Sequence, residues 1–336
     1  MGLLDRLSAR TSPKSAVELP RLDRLDPFLG DVELRTAYRA LVDGDWPRLE
    51  RFLDGSPKSW MFGPIVTSEL VGLETITFER WVEFKRSARS RSFHAAVLVR
   101  DAFAAHREAI HAPSNGHDHT EVSPFTEQLR SAERSLYEVV TDRPAMADPW
   151  VTLLITGRGL QVSLEELRER FDNAHSRAPF RPDACRQYLQ SLTKKWNGSN
   201  IATFDFARWI EKETAPASPA REALPTAHIE KGLLEQGRAN LATYLMQPEV
   251  VAELATGLLA FLQATPSPAP TEALGVLNAY ALAITAEGQS TARLVTETFA
   301  RIDNRPTEFP WAIYADDITH VFSEIQAEQL RFASRY

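Results

Sequence analysis

The chain has 336 residues and a net charge of −7, with 43% hydrophobic and 25% charged residues. This composition excludes a disordered, collagenous or disulfide-stapled chain and suits one large domain or two modest ones. The acidic balance argues against general nucleic-acid binding, because affinity for a phosphate backbone is largely electrostatic.

The first residues, Met1-Gly2-Leu3-Leu4-Asp5-Arg6-Leu7, lack the long apolar core of a signal peptide. Arg6 stands where a myristoylation motif wants Ser or Thr. Residues 1–28 read as an irregular N-terminal arm, and 29–112 as an N-terminal helical region. Within that region the Ile65-Val66-Thr67 and Glu74-Thr75-Ile76-Thr77 patches are too short for strands. Lys85-Arg86-Ser87-Ala88-Arg89-Ser90-Arg91 is a local basic run whose plain reading is a solvated helix face. The segment His111 to Pro124 is polar and turn-rich, while Thr214 to Thr226 and Thr265 to Thr271 are rich in proline. All three read as breaks, since proline cannot sit in a helix interior. They delimit a central region at 123–213 and a C-terminal helical region at 226–336.

Helical periodicity fills the rest. Phe125, Leu129, Ala132, Leu136, Val139 and Val140 recur at steps of three and four, with Ser123-Pro124 as cap and first turn. Asp148-Pro149-Trp150 repeats that logic, with Asp148 as the cap. Ser163-Leu164-Glu165-Glu166 reads as a capping box. The helix it opens carries Leu164, Leu167, Phe171 and Ala174 on one side, with Glu165, Arg168, Glu169 and Arg170 facing elsewhere. A helix from about Asp183 to Lys195 buries Cys185, Tyr188, Leu189, Leu192 and Trp196, and Ile201 to Glu213 forms the next. No convincing strand pattern appears, so the predicted fold class is all-α.

A trio recurs: a large apolar residue, a smaller one three later, and a proline five after that. Leu136, Val139 and Pro144 show it, as do Phe171, Ala174 and Pro179, and Phe204 and Ala207 continue it without the proline. Leu49, Phe52 and Pro57, and Phe299, Ile302 and Pro306, are looser copies. The spacing is roughly 34 residues, the period of helical-hairpin arrays, in which each unit hides its apolar face against the next.

The region from Leu129 to Trp209 resembles degenerate tetratricopeptide-type repeats. Larger blocks resemble a bacterial family of helical proteins without an assigned activity: Ala40-Leu41-Val42-Asp43-Gly44-Asp45-Trp46, Asp148-Pro149-Trp150, Gln187-Tyr188-Leu189, Lys195-Trp196-Asn197-Gly198-Ser199, Ala227-His228-Ile229-Glu230 and Thr307-Glu308-Phe309-Pro310-Trp311. The resemblance implies an α-α superhelix with a C-terminal helical bundle, acting as a protein- or peptide-binding scaffold. It transfers no catalytic residue.

Chemistry-bearing patterns are sparse. HExxH, paired cysteines, P-loop and G-x-S-x-G patterns are all absent from the sequence. His117-Asp118-His119 reads first as a polar loop, and a metal there needs a third ligand such as His111. No metal, cofactor or catalytic residue is therefore assigned. An enzyme site assembled between helices, a metal-dependent one included, is the alternative, with His94, His106, Glu108 and His228 available to it. Asp316-Asp317 read as a helix start, and Trp311 as a candidate exposed docking aromatic. The preferred binding surface is a polar line: Arg186, Gln190 and Lys194 at steps of four, with Thr152 and Thr156 on the equivalent helix one unit earlier. The expected partner is a protein or peptide, with self-association into a homodimer as a further expectation, and neither nucleic acid nor membrane is expected. The single thiol, Cys185, and the lack of ~20 consecutive apolar residues lead to an expected cytoplasmic location.

Overall fold

The computed structural model describes residues 25–68, 70–111, 123–285, 288–314 and 317–336. Among the described residues there are sixteen α-helices, three short 3-10 turns and no strand, so the chain is all-α. It divides into two compact units: Val32–Leu192, and Thr193–Tyr336 together with the N-terminal segment up to Asp31. The division falls between Leu192 and Thr193, inside the predicted 123–213 region rather than at the proline-rich segments.

The first unit contains α1 (Val32–Asp43), α2 (Trp46–Gly55), α3 (Ser59–Val66), α4 (Thr75–Phe84), α5 (Ala88–His111), α6 (Pro124–Asp142), α7 (Asp148–Gly159), α8 (Leu164–Arg177) and α9 (Pro182–Ser191). Its N-terminal core is aromatic: Trp46 stacks on Trp81 at 6.0 Å, and Phe62, Phe78 and Phe93 close around them. The predicted apolar stripe of α6 is buried, with Leu129, Leu136 and Val139 fully enclosed. Successive helices from α5 to α9 pack on one another, and α7 also touches α5 and α9. Four helices thus surround α7, and six of its residues between Val151 and Gly157 are buried.

That enclosure decides the polar residues. Arg170, on α8, turns inward and is 3% exposed, contrary to its predicted outward placement. Its guanidinium donates to Glu133 of α6 at 2.6 Å, to Glu166 at 2.6 Å, and to the Leu153 carbonyl and Thr156 hydroxyl of α7. One side chain therefore ties three helices together. Gly157 leaves the room for it, because a Cβ there would lie 2.8 Å from the Arg170 guanidinium.

Local signals held in part. Ser163 caps α8 by accepting the Glu166 amide, but the Glu166 carboxylate goes to Arg170 rather than back to the cap. Asp148 sits inside α7 and serves as an ion-pair partner of Arg181 at 2.9 Å instead of capping the helix. The predicted Asp183–Lys195 helix ends at Ser191, and a separate 3-10 turn, Lys194–Trp196, follows it.

The second unit contains α10 (Asn200–Glu213), α11 (Ala223–Leu245), α12 (Pro248–Ala264), α13 (Leu274–Ala283), α14 (Gln289–Ile302), α15 (Glu308–Trp311) and α16 (Ile318–Ala333). Gly237, at φ +70°, takes a left-handed conformation that breaks α11 in two. The α13 helix is the centre of this unit, with nearly every residue buried. The proline-rich segments are packed structure, not linkers. In the first, Ala220, Arg221 and Glu222 are buried, and Arg221 is held by the Glu211 carboxylate at 2.7 Å and by the Glu211 and Thr214 carbonyls. Trp311 is fully buried rather than exposed, and its indole N–H donates to Asn278 at 2.7 Å. Asp317 caps α16 by accepting the His320 amide, as predicted, and Asp316 lies outside the described residues. The N-terminal arm is described only from residue 25, where Phe28 and Leu29 are buried and Asp31 accepts from Thr271 at 3.0 Å.

One sequence separation recurs in both units. Lys85–Glu50 and Arg89–Asp54 are joined across 35 residues, and Arg181–Asp148 across 33. Lys195–Glu230 and Asn200–Glu235 are joined across 35, and Trp311–Asn278 across 33. The trios predicted from the sequence lie on α6, α8 and α10, and Ala174 packs in a small cluster with Val151 of α7 and Ala184 of α9.

Removing the hub has a calculable effect. Arg170→Met leaves Glu133 half-enclosed without its cation and should destabilise the first unit by about 3–5 kcal/mol. Gly157→Ala, which pushes the guanidinium off its acceptors, should cost about 1–3 kcal/mol. Urea unfolding with the slope held constant measures both, and two variants within about 0.5 kcal/mol of wild type would refute the hub.

Candidate functional site, a basic cleft in the first unit

The five residues of the predicted polar line do not form one surface. Thr152 and Thr156 are buried in α7, where Thr156 donates to Glu133 at 2.6 Å and Thr152 to the Asp148 carbonyl. Arg186 and Gln190 are half-buried on α9. Lys194 lies past the end of α9, is exposed, and belongs to the second unit. A helix with neighbours on every side has no solvated face, so its hydroxyls serve the interior.

A polar concavity of the first unit lies elsewhere. A cleft of about 550 Å³ is lined by Glu50 and Asp54 of α2, by residues between Lys85 and Arg91 other than Ser90, by Asp142 at the end of α6, and by Arg143 and Met146 after it. This is the basic run noted in the sequence. The α4 helix ends at Phe84, Lys85 is extended, and Ser87 starts α5 by accepting the Ser90 amide at 3.1 Å. The Ser90 hydroxyl, fully buried, donates back to the Lys85 carbonyl at 2.7 Å and fixes the connection.

Five cations and three carboxylates face this cleft. Lys85 pairs with Glu50 at 2.6 Å, Arg89 with Asp54 at 2.7 Å, and Arg91 with Asp142. Glu138, 3.7 Å from Arg91 and mostly solvated, does not line the cleft. The exposed guanidinium groups of Arg86 and Arg143 have no ion-pair partner among the described residues. Two polar atoms of the wall, Arg91 Nε and Glu50 Oε1, are shut off from solvent and lack a protein partner. The first amides of the 24-residue helix α5 open here too, and a helix start carries partial positive charge. In a chain of net charge −7, this concavity carries a surplus of two positive charges.

The histidines predicted for an alternative enzyme site are not brought together. His106 stacks on Phe125 at 4.2 Å, Glu108 is exposed, and His94 also lies on α5, whereas His228 belongs to the second unit. Among the described residues no group of three His, Cys, Asp or Glu side chains is arranged to hold a metal ion. His117-Asp118-His119 lie outside the described residues.

A different polar cluster occupies the second unit. His228, 3% exposed, bonds Tyr244 through Nδ1 at 2.9 Å and Glu253 through Nε2 at 3.1 Å. Arg208 grips the same carboxylate at 2.8 and 3.2 Å and, with His228, holds Glu253 below the usual carboxylate range. The ionised Glu253 requires a proton on Nε2, so Nδ1 accepts from the Tyr244 hydroxyl. Hydroxyl, imidazole and carboxylate stand in the order of a nucleophile, a base and its orienting group. Yet Tyr244 is buried, and burial with nearby Glu235 and Glu253 raises its pKa, so it stays a neutral donor. The neighbouring cleft of about 240 Å³ is lined by Phe204 and Lys231, and neither His228 nor Tyr244 lines it. The cluster is a packed relay, invisible in the sequence because its members are scattered from Arg208 to Glu253.

Burial pushes the His228 pKa down to about 4, against the attraction of Glu253. The unfolded chain binds the proton more readily, so the stability this imidazole contributes is complete above about pH 6.5 and is lost as the pH falls toward 4. The loss is on the order of 3 kcal/mol. His228→Gln should lower stability at pH 7 and flatten that acid limb. Urea titrations between pH 4 and 7.5 measure this, and an unchanged slope in the variant would exclude His228 as the source.

Compared with known proteins, the chain matches no family model, no curated protein and no solved structure.

Proposed function

We propose that the protein is a non-enzymatic scaffold of stacked helix pairs, tetratricopeptide-like in plan, that binds a protein or peptide partner. The observation that carries this reading is the recurrence of polar links across 33 to 35 residues in both units. A constant separation between joined residues is what successive helical hairpins produce when equivalent positions stack. The packing of α7 against α5, α6, α8 and α9 is of the same kind, with α5, α7 and α9 forming one row. The Ala174–Ala184 approach gives the small residue of the trio its use, because it lets the next helix come close.

Rigid stacks of this kind present side chains on fixed elements, and the cleft beside α5 gathers two more cations than carboxylates in one concavity. Contact between that charge and an acidic partner is the function the geometry supports. The enzyme alternative has no comparable support, since its residues are separated and the one relay is enclosed.

Capture from a native extract, with partners quantified by mass spectrometry, tests the reading. Wild type should retain a partner protein near equal stoichiometry, and the double reversal Arg86→Glu/Arg143→Glu should lose about nine-tenths or more of it. Reversal of exposed Lys212 in the second unit is the control. Equal capture by all three proteins would remove the cleft from the proposal.

A further inference from the structure

The cleft contains more information than its sign. Its three carboxylates each hold a cation already, through Lys85, Arg89 and Arg91. What remains is a pair of guanidinium groups, Arg86 and Arg143, from two different segments that meet at one concavity. A single carboxylate on a ligand would neutralise one of them. A phosphate monoester, with nearly two negative charges and three acceptor oxygens near pH 7, would neutralise both. Guanidinium forks match phosphate oxygens in bidentate fashion.

Size and lining point to how that phosphate arrives. At about 550 Å³ the cleft is several times larger than one phosphate group, so a lone ion would leave most of it to solvent. Met146 and the Ala88 methyl supply apolar surface in its lining. Charged forks with apolar surface alongside suit a phosphorylated residue within a peptide, whose flanking side chains cover the remainder.

We infer that this cleft recognises a phosphorylated serine or threonine in a peptide segment of the partner, with Arg86 and Arg143 as the phosphate-binding pair. The inference rests on the scaffold reading and narrows its partner. Lys85, Arg89 and Arg91 are committed to Glu50, Asp54 and Asp142, so they shape the wall while Arg86 and Arg143 supply the net charge. The recognition is thereby an electrostatic switch: the dephosphorylated segment brings too little charge to displace water from the two guanidinium groups.

The test uses the full chain and two fluorescent peptide pools, one centred on phosphoserine and the other on serine, with degenerate flanks. Anisotropy should report binding of the phosphoserine pool at least about tenfold tighter than its twin, as expected for charge-assisted forks. Arg86→Ala/Arg143→Ala should remove that preference, while Lys212→Ala should keep it. Both arginines are exposed, and thermal melts of each variant confirm that the fold is intact. Inorganic phosphate, titrated into wild type alone, should displace the phosphoserine pool only at far higher concentration. Equal affinity for the two pools overturns phosphate recognition while leaving an acidic-peptide scaffold standing. Binding of inorganic phosphate with neither pool retained also overturns it, and makes the cleft a small-anion site. Retention of the preference in the double variant overturns the assignment of the two arginines.

Discussion

The fold of the first unit depends on a charge held where water does not reach. Arg170 is enclosed by α6, α7 and α8, and its burial is tolerable only because carboxylates, a carbonyl and a hydroxyl meet its two terminal nitrogens. This sets the register of three helices at once. The hydroxyl of Thr156 must point inward, Gly157 must lack a Cβ, and Glu133 must lie on the face of α6 turned toward α8. Apolar packing alone would allow neighbouring helices to slide by a turn with modest loss, whereas a buried cation with one set of acceptors would not. Arg221 and Arg301 repeat the device in the second unit, each donating to carbonyls at the ends of neighbouring helices.

Buried cations thus account for the helix ends, and the surface cations have a different task. The exposed pairs Lys85–Glu50, Arg89–Asp54 and Lys195–Glu230 contribute little stability each. Their value lies in direction, since each joins segments 35 residues apart in the sequence. Around the cleft, Arg86 and Arg143 are left without an ion-pair partner among the described residues. The connection between α4 and α5 is locked by Ser87 and Ser90, and its cations are divided between α2, α6 and solvent.

The enclosed relay of His228, Tyr244 and Glu253 shows why geometry has to be read together with access. Its hydrogen bonds are well formed, but the hydroxyl is buried and kept protonated. A neutral imidazole in that setting stiffens the packing of α11 against α12 and makes the second unit sensitive to acid. The enclosed relay thus serves the interior, whereas the cations of the cleft outnumber its carboxylates by two.

Periodicity alone determined the all-α class, the apolar stripe of α6 from Leu129 to Val139, the Ser163 cap, and the positions of Phe171 and Ala174. These are local properties: a helix buries what recurs at three and four residues, and a cap needs only the next turn. The basic run from Lys85 to Arg91 was equally legible as charge. Tertiary structure decided everything that depends on neighbours distant in sequence. Thr152 and Thr156 read as a binding line, yet α7 has helices all round it and no outward face. Trp311 is from the sequence a candidate for exposure, yet it is buried and Asn278 accepts its N–H. Arg170 reads as facing away from the apolar side of its helix, and the prolines before α11 as a break, because polarity and proline say nothing of what lies across the chain. Which cations of the cleft find a carboxylate among the described residues and which, like Arg86 and Arg143, do not depends on segments distant in sequence, and no local pattern encodes it.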